Sequence, residues 1–168
     1  MNNATRALLV AAIAVGLAAC TKKTVPTDPA PTPSTPTTPA VVDDGKYGPE
    51  DLDTDACLRQ RTVYFDLDQD SVKPEFQAIL ACHAKYLQDR PESRVTLEGH
   101  ADERGSREYN LGLGERRGNA VSAALQAAGG SAGQQTVVSF GEERPVDTAS
   151  TEEAWAKNRR VEIVYTAR

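Results

Sequence analysis

The feature that most limits this chain is a stretch with nothing to bury. Across residues 21–46, thirteen of the 26 positions are Pro or Thr, and none is Leu, Ile, Phe, Tyr or Trp. Such a segment cannot offset the conformational entropy of ordering, so it reads as a disordered linker. Proline-rich chain is extended and semi-rigid, at about 3.1 Å per residue. The 29 residues between Cys20 and Glu50 can therefore reach on the order of 90 Å. All nine aromatic residues lie at Tyr47 or beyond, which leaves residues 47–168 as the globular part. Those 122 residues suffice for one core, which rules out a multidomain enzyme. They carry 15 Lys/Arg against 21 Asp/Glu, a net charge of −6. That is the wrong sign for a phosphate backbone and excludes nucleic acid as the expected partner.

Ahead of the linker, Arg6 precedes an apolar run from Ala7 to Ala19. The run is too short for a bilayer, which takes roughly 20 residues, and residues 1–19 read as a secretory signal peptide. It ends Leu17-Ala18-Ala19-Cys20, which resembles a bacterial lipobox, in which the cysteine sulfur takes lipid. Ordinary cleavage that leaves Cys20 incidental is the alternative. Acyl chains on Cys20, palmitate among them, would hold the chain stably at a membrane. Thr21, where Asp resembles an inner-membrane retention signal, favours the outer membrane.

Export permits disulfides. With Cys20 lipidated, Cys57 and Cys82 form one possible pair. Neither has metal-site spacing and there are two His in all, so no metal or cofactor is expected. In a helix over about 75–89, Phe76, Ile79, Leu80, His83, Ala84 and Leu87 make one stripe. Cys82 falls on its flank, where it can meet the segment carrying Cys57. Two unrelated thiols are the alternative, and His83 reads as a structural histidine.

The remaining elements follow from pattern. Thr62–Asp66 is a short strand, and Pro74 and Pro91 bracket the helix. Ser93–Gly99 is a second strand, followed by a polar loop. A long helix runs from Arg107 to about Ala128, capped by Ser106 and stopped by Gly129-Gly130. Thr136–Phe140 and Arg160–Thr166 are strands, with a short helix over Thr151–Lys157. The order βαβαββ predicts an α+β two-layer sandwich, a mixed sheet with helices on one face.

The long helix holds an anomaly. At 100° per residue, Leu113, Ala120, Val121, Ala124 and Ala128 form its apolar stripe, and Arg117 sits in the middle on the same side as Asn110. A buried guanidinium must be paired or must reach a ligand. The loop before the helix supplies Asp102 and Arg104. One reading is a structural Arg117–Asp102 salt bridge. The other is a zwitterion pocket, with Arg117 offering its fork to a carboxylate and Asp102 accepting an ammonium.

Several runs now carry a resemblance: Val63-Tyr64-Phe65-Asp66; Glu98-Gly99-His100-Ala101-Asp102-Glu103-Arg104-Gly105; Glu108-Tyr109-Asn110; Leu113-Gly114-Glu115-Arg116-Arg117; and Asn158-Arg159-Arg160-Val161. They resemble the OmpA-like domain family nearly continuously from about residue 60 to 168. With the lipobox and the Pro-rich linker, the chain resembles that family's lipoprotein branch, the peptidoglycan-associated lipoproteins. The resemblance implies a non-catalytic domain in the periplasm on an outer-membrane lipid anchor. It implies non-covalent binding of peptidoglycan through meso-diaminopimelate of the stem peptide, with Asp102 and Arg117 at the positions of the family's key pair. Phe65, Asp66, Arg104, Asn110 and Leu113 match supporting positions. It also implies the Tol-Pal system of envelope integrity and cell division, with the TolB propeller and TolA as partners. A wall-binding lipoprotein outside that system is the runner-up.

Two departures stand out. Gly118 replaces the family's usual Ala and, with Gly112 and Gly114, lowers helix propensity by up to ~1 kcal/mol per residue. The cysteine pair is not a general family feature. An enzyme remains the weaker class: His100 beside Asp102 suggests part of a hydrolytic dyad, but no Gly-x-Ser-x-Gly motif accompanies it.

Overall fold

The computed structural model describes residues 45–168. The expected signal peptide, lipidated Cys20 and the linker up to residue 44 lie outside the described residues. The elements in chain order are α1 (Asp51–Thr54), β1 (Thr62–Tyr64), a 3-10 turn (Pro74–Phe76), α2 (Gln77–Asp89), β2 (Arg94–His100), α3 (Arg107–Ala127), a second 3-10 turn (Ala132–Gln134), β3 (Gln135–Gly141), α4 (Glu152–Asn158) and β4 (Arg160–Ala167). The strands lie in the order β1-β4-β2-β3. β4 runs antiparallel to both β1 and β2, while β2 and β3 are parallel. This is the expected α+β architecture with a mixed sheet.

Alternation decides which side of the sheet is covered. Val63, Val95, Leu97, Val161 and Ile163 are buried and join Leu80, Ala84 and Leu87 of α2 and Val121 and Leu125 of α3 in one core. Each such aliphatic side chain contributes about 1.5–3 kcal/mol on burial. α2 follows its expected stripe at Leu80, His83, Ala84 and Leu87. Ser106 caps α3 as expected, its Oγ accepting from the Tyr109 N–H at 3.2 Å. Gly129 ends that helix at φ +99°, a left-handed conformation that glycine adopts without strain.

The stripe of α3 differs from expectation. Its buried row is Asn110, Leu113, Gly114, Arg117, Gly118, Val121 and Leu125, while Ala128 is exposed and Ala120 and Ala124 are half-buried. Glycine carries no hydropathy signal, yet here it sets the packing distance. A Cβ on Gly99 would collide with the Gly114 backbone, and one on Gly118 would lie 2.6 Å from Val137 Cγ1. The helix lies this close to β2 and β3 because those positions lack side chains. The propensity that Gly118 forgoes is the cost of that approach.

β1 is shorter than expected. Phe65 N–H donates to Arg159 O at 2.9 Å, and the chain then turns, with Gln69 N–H on Asp66 O at 3.2 Å and Asp68 at φ 56°. α1 was not anticipated. It belongs to a second, smaller cluster of Leu52, Leu58 and Tyr86, with Tyr47, Cys82 and Tyr165 against it. Cys57 and Cys82 are bridged there, with Cα atoms 6.3 Å apart across a sequence separation of 25. His83 is buried beside the bridge. Its Nε2 lies 3.1 Å from the Gln60 carbonyl, which can only accept, so Nε2 carries the proton. Nδ1 then accepts from the Tyr165 hydroxyl at 2.8 Å. Burial holds the pKa of this histidine below its usual value, consistent with a neutral structural role.

Candidate functional site

The end of β2, the β1–α2 loop, the first turns of α3 and the α4–β4 junction converge on a cavity of about 360 Å³. Its lining has two characters. Leu67, Tyr109 and Leu113 form an apolar wall. Asp102, Arg104, Arg117 and Arg159 supply charge. Leu67 and Tyr109 are the exposed hydrophobic side chains at this mouth.

Asp102 is 4% exposed and is held from two sides. Arg104 Nη2 donates to Oδ2 at 2.6 Å, while Arg104 Nε and backbone N–H reach Oδ1 at 3.2 and 3.1 Å. Arg159 Nη1 donates to Oδ2 at 3.2 Å. Burial works to raise the Asp102 pKa, but the hydrogen bonds from Arg104 and Arg159 outweigh it and keep the carboxyl below the usual aspartate value. The same hydrogen bond raises the Arg104 pKa. Asn110, also buried, donates from Nδ2 to the Asp102 carbonyl at 3.1 Å and to the Glu142 carboxylate, which fixes the backbone beneath the charge.

Arg117 is fully buried, as its place in the α3 stripe predicts, but its direct partner is not Asp102. Nε donates to Gln69 O at 2.8 Å, Nη1 to His100 O at 2.8 Å and Nη2 to Asp66 O at 3.1 Å. The guanidinium carbon also stands 5.2 Å from the Phe65 ring centre. One side chain thus ties α3 to the end of β2 and to the β1–α2 loop. Burial pushes its pKa down to about 10, against the attraction of nearby Asp102. The salt-bridge reading of Arg117 and Asp102 is corrected accordingly. Among the described residues the ion pairs of Asp102 are with Arg104 and Arg159, because Arg117 is already committed to three carbonyls.

Of the residues expected at the site, Asp102, Arg104, Asn110, Leu113 and Arg117 line the cavity. Phe65 and Asp66 stand behind it. Phe65 packs in the core and its carbonyl accepts from Arg159 Nε at 3.1 Å, while the Asp66 carboxylate turns outward to Lys73 at 2.7 Å. Arg159 carried no expected role, nor did Leu67, Asp68 or Tyr109. For Arg159 a signal was available: a cation at the start of a strand whose alternate residues, Val161 and Ile163, face the core. The dyad alternative fails on geometry. The His100 ring is stacked on Phe140 at 5.6 Å, and neither ring nitrogen has a hydrogen-bond partner among the described residues. Burial, aided by Arg160, lowers its pKa to about 4.

Residues 64–159 match the model of the OmpA family. The peptidoglycan-associated lipoprotein of Pseudomonas aeruginosa is 50% identical over 113 residues, 67% of this chain and 67% of its own. That of Haemophilus influenzae is 39% identical over 165 residues, 98% of this chain and 100% of its own. The crystal structure of the peptidoglycan-associated lipoprotein from Burkholderia pseudomallei superposes with a TM-score of 0.67 at 43% identity, covering 68% of this chain and 98% of that one. With the cavity built on the segments that the family model spans, the chain belongs to the OmpA family, in its peptidoglycan-associated lipoprotein group.

Proposed function

We propose that this domain is a non-catalytic anchor that holds peptidoglycan by the free amino-acid end of a stem-peptide diaminopimelate. The observation that carries this reading is the cavity itself. A buried carboxylate, Asp102, stands among three guanidiniums beside an apolar wall of Leu67, Tyr109 and Leu113. Asp102 suits an ammonium. Arg117 has five N–H donors, of which three serve carbonyls, so two remain for a carboxylate. The apolar wall suits the aliphatic stem between the two groups. The relatives are named for association with peptidoglycan, which supplies the polymer. Lipidation at Cys20 and an outer-membrane address complete the tether. TolB and TolA are the partners of this reading, within the Tol-Pal system of envelope integrity and cell division.

Cosedimentation of the purified protein with isolated sacculi tests it. The wild type pellets with the wall, and Asp102→Ala, checked for folding by circular dichroism, stays in solution. Undiminished pelleting by the folded variant ends the proposal, and hydrolysis of the sacculi would place the chain among enzymes. Pull-down of the TolB propeller with and without muropeptides tests the partner. Muropeptide is expected to compete.

A further inference from the structure

Asp102 has no open acceptor for a ligand ammonium. Its two oxygens already take four N–H groups, three from Arg104 and one from Arg159, and a carboxylate offers about four lone-pair positions. An incoming cation must therefore replace a donor.

The two arginines differ in what holds them. The Arg159 side chain is 7% exposed, with Nε on Phe65 O at 3.1 Å and Nη2 on Glu152 Oε1 at 2.9 Å. It is part of the wall. The Arg104 side chain is 31% exposed and already touches a second resting place. Its Nη1 lies 3.3 Å from Glu152 Oε2, and its guanidinium carbon stands 4.0 Å from the Trp155 ring centre. Trp155 is itself oriented by its Nε1–H on Glu103 Oε1 at 3.0 Å. Leaving Asp102 costs Arg104 its fork, but it keeps a carboxylate and an aromatic face.

We propose that Arg104 is the cavity's own stand-in for the ligand ammonium: it occupies Asp102 in the free protein and, when the ligand binds, releases Asp102 and is held by Glu152 and Trp155 alone. This rests on the diaminopimelate reading and deepens it. The exchange keeps Asp102 paired with a mobile cation in both states, so a buried carboxylate is never left short of charge. It also makes Arg104 a specificity-determining residue. A neutral group entering the cavity cannot compensate the lost ion pair, so a free amine is selected over an amide.

Trp155 is the only tryptophan in the chain, and its fluorescence reports the stacked guanidinium directly. The probe is the tripeptide L-Ala-γ-D-Glu-meso-diaminopimelate, titrated into the purified protein by calorimetry and by emission. In the wild type, binding shifts Trp155 emission. Arg104→Met, its fold checked by circular dichroism, binds roughly two- to fivefold more tightly, the scale of a partly exposed ion pair, and its emission no longer responds. Glu152→Gln, which weakens the outward resting place, binds more weakly than wild type. Weaker binding by Arg104→Met, unchanged binding by Glu152→Gln, or a silent Trp155 in a saturated wild type each overturns the exchange while leaving the diaminopimelate reading standing. A wild type that does not bind the tripeptide overturns both.

Discussion

Replacing Arg117 with lysine should harm the fold more than replacing it with methionine, although lysine keeps the charge. The three acceptors of Arg117 lie on different segments: Gln69 O, His100 O and Asp66 O. A planar fork reaches all three. A single ammonium nitrogen on a flexible stem cannot. The bond to His100 O is buried, and a buried acceptor that loses its donor costs about 1–3 kcal/mol. The other two carbonyls belong to exposed residues, where water can substitute at roughly 0.5–1 kcal/mol each. Methionine at 117 meets those losses but packs its thioether near Phe65, for a net cost of about 2 kcal/mol. Lysine saves at most one carbonyl and leaves a buried charge short of partners, for about 4 kcal/mol. A pH signature separates the two. In the lysine variant, burial depresses the folded-state pKa of the new amine while the unfolded chain keeps about 10.4. The unfolded state then binds more protons, and stability must rise with pH from about 7 to 10. Urea unfolding of wild type, Arg117→Lys and Arg117→Met across that range measures both effects. A lysine variant as stable as wild type, or one whose stability does not rise with pH relative to Arg117→Met, refutes the brace.

The disulfide closes a separation of 25 residues, for which the chain-entropy relation gives about 3.5 kcal/mol. Cys57→Ser with Cys82→Ser should lower urea-derived stability by that order, and reductant should do the same to the wild type alone. Gly118→Ala gains up to ~1 kcal/mol of helix propensity but sets a Cβ 2.6 Å from Val137 Cγ1, an overpacking cost of about 1–3 kcal/mol. Thermal melts should show net destabilisation, partly relieved by adding Val137→Ala. The His100 pKa is about 4 in the fold against 6.5 ordinarily, so the unfolded chain takes the proton first. That contribution is complete above about pH 6.5 and falls by ~3 kcal/mol as pH drops to about 4. His83, shifted the same way, adds to the slope, and His100→Phe should flatten it in urea titrations at pH 7, 5.5 and 4.

What could be read from the residues was what has a period or a chemical exception. Alternation at Val95 and Leu97, the α2 stripe with Cys82 on its flank, and the Ser106 cap all belong to local geometry, and the structure follows them. Arg117 was conspicuous because a guanidinium interrupts an apolar row. Its partners were not visible, because the carbonyls it found belong to residues 66, 69 and 100, and every residue in the chain has a carbonyl. The tight helix–sheet contact at Gly114 and Gly118 escaped for a related reason: a missing side chain leaves no mark in a hydropathy pattern. α1 is four residues long with one buried side chain, Leu52, too short for any periodicity. Arg104 and Trp155 lie 51 positions apart, and their stacking depends on β4 pairing with β1 and β2. That tertiary arrangement also brings Arg159 to Asp102.

The acidic balance of the globular part, −6, does not set the field at the site. Arg104, Arg117 and Arg159 face Asp102 and Asp68 in the cavity lining, with Glu152 paired to Arg104 and Arg159, a dense set of opposed charges. At about 0.15 M salt the Debye length is ~8 Å, so a ligand inside the cavity feels these adjacent groups more than the remaining surface. Buried pairs are also screened less than exposed ones. Affinity for the diaminopimelate tripeptide should therefore change by less than about threefold between 50 and 300 mM salt, measured by calorimetry at constant pH. A steep loss with salt would mean that long-range attraction from the surface carries the binding, and the buried charge set around Asp102 would then not be the determinant of recognition.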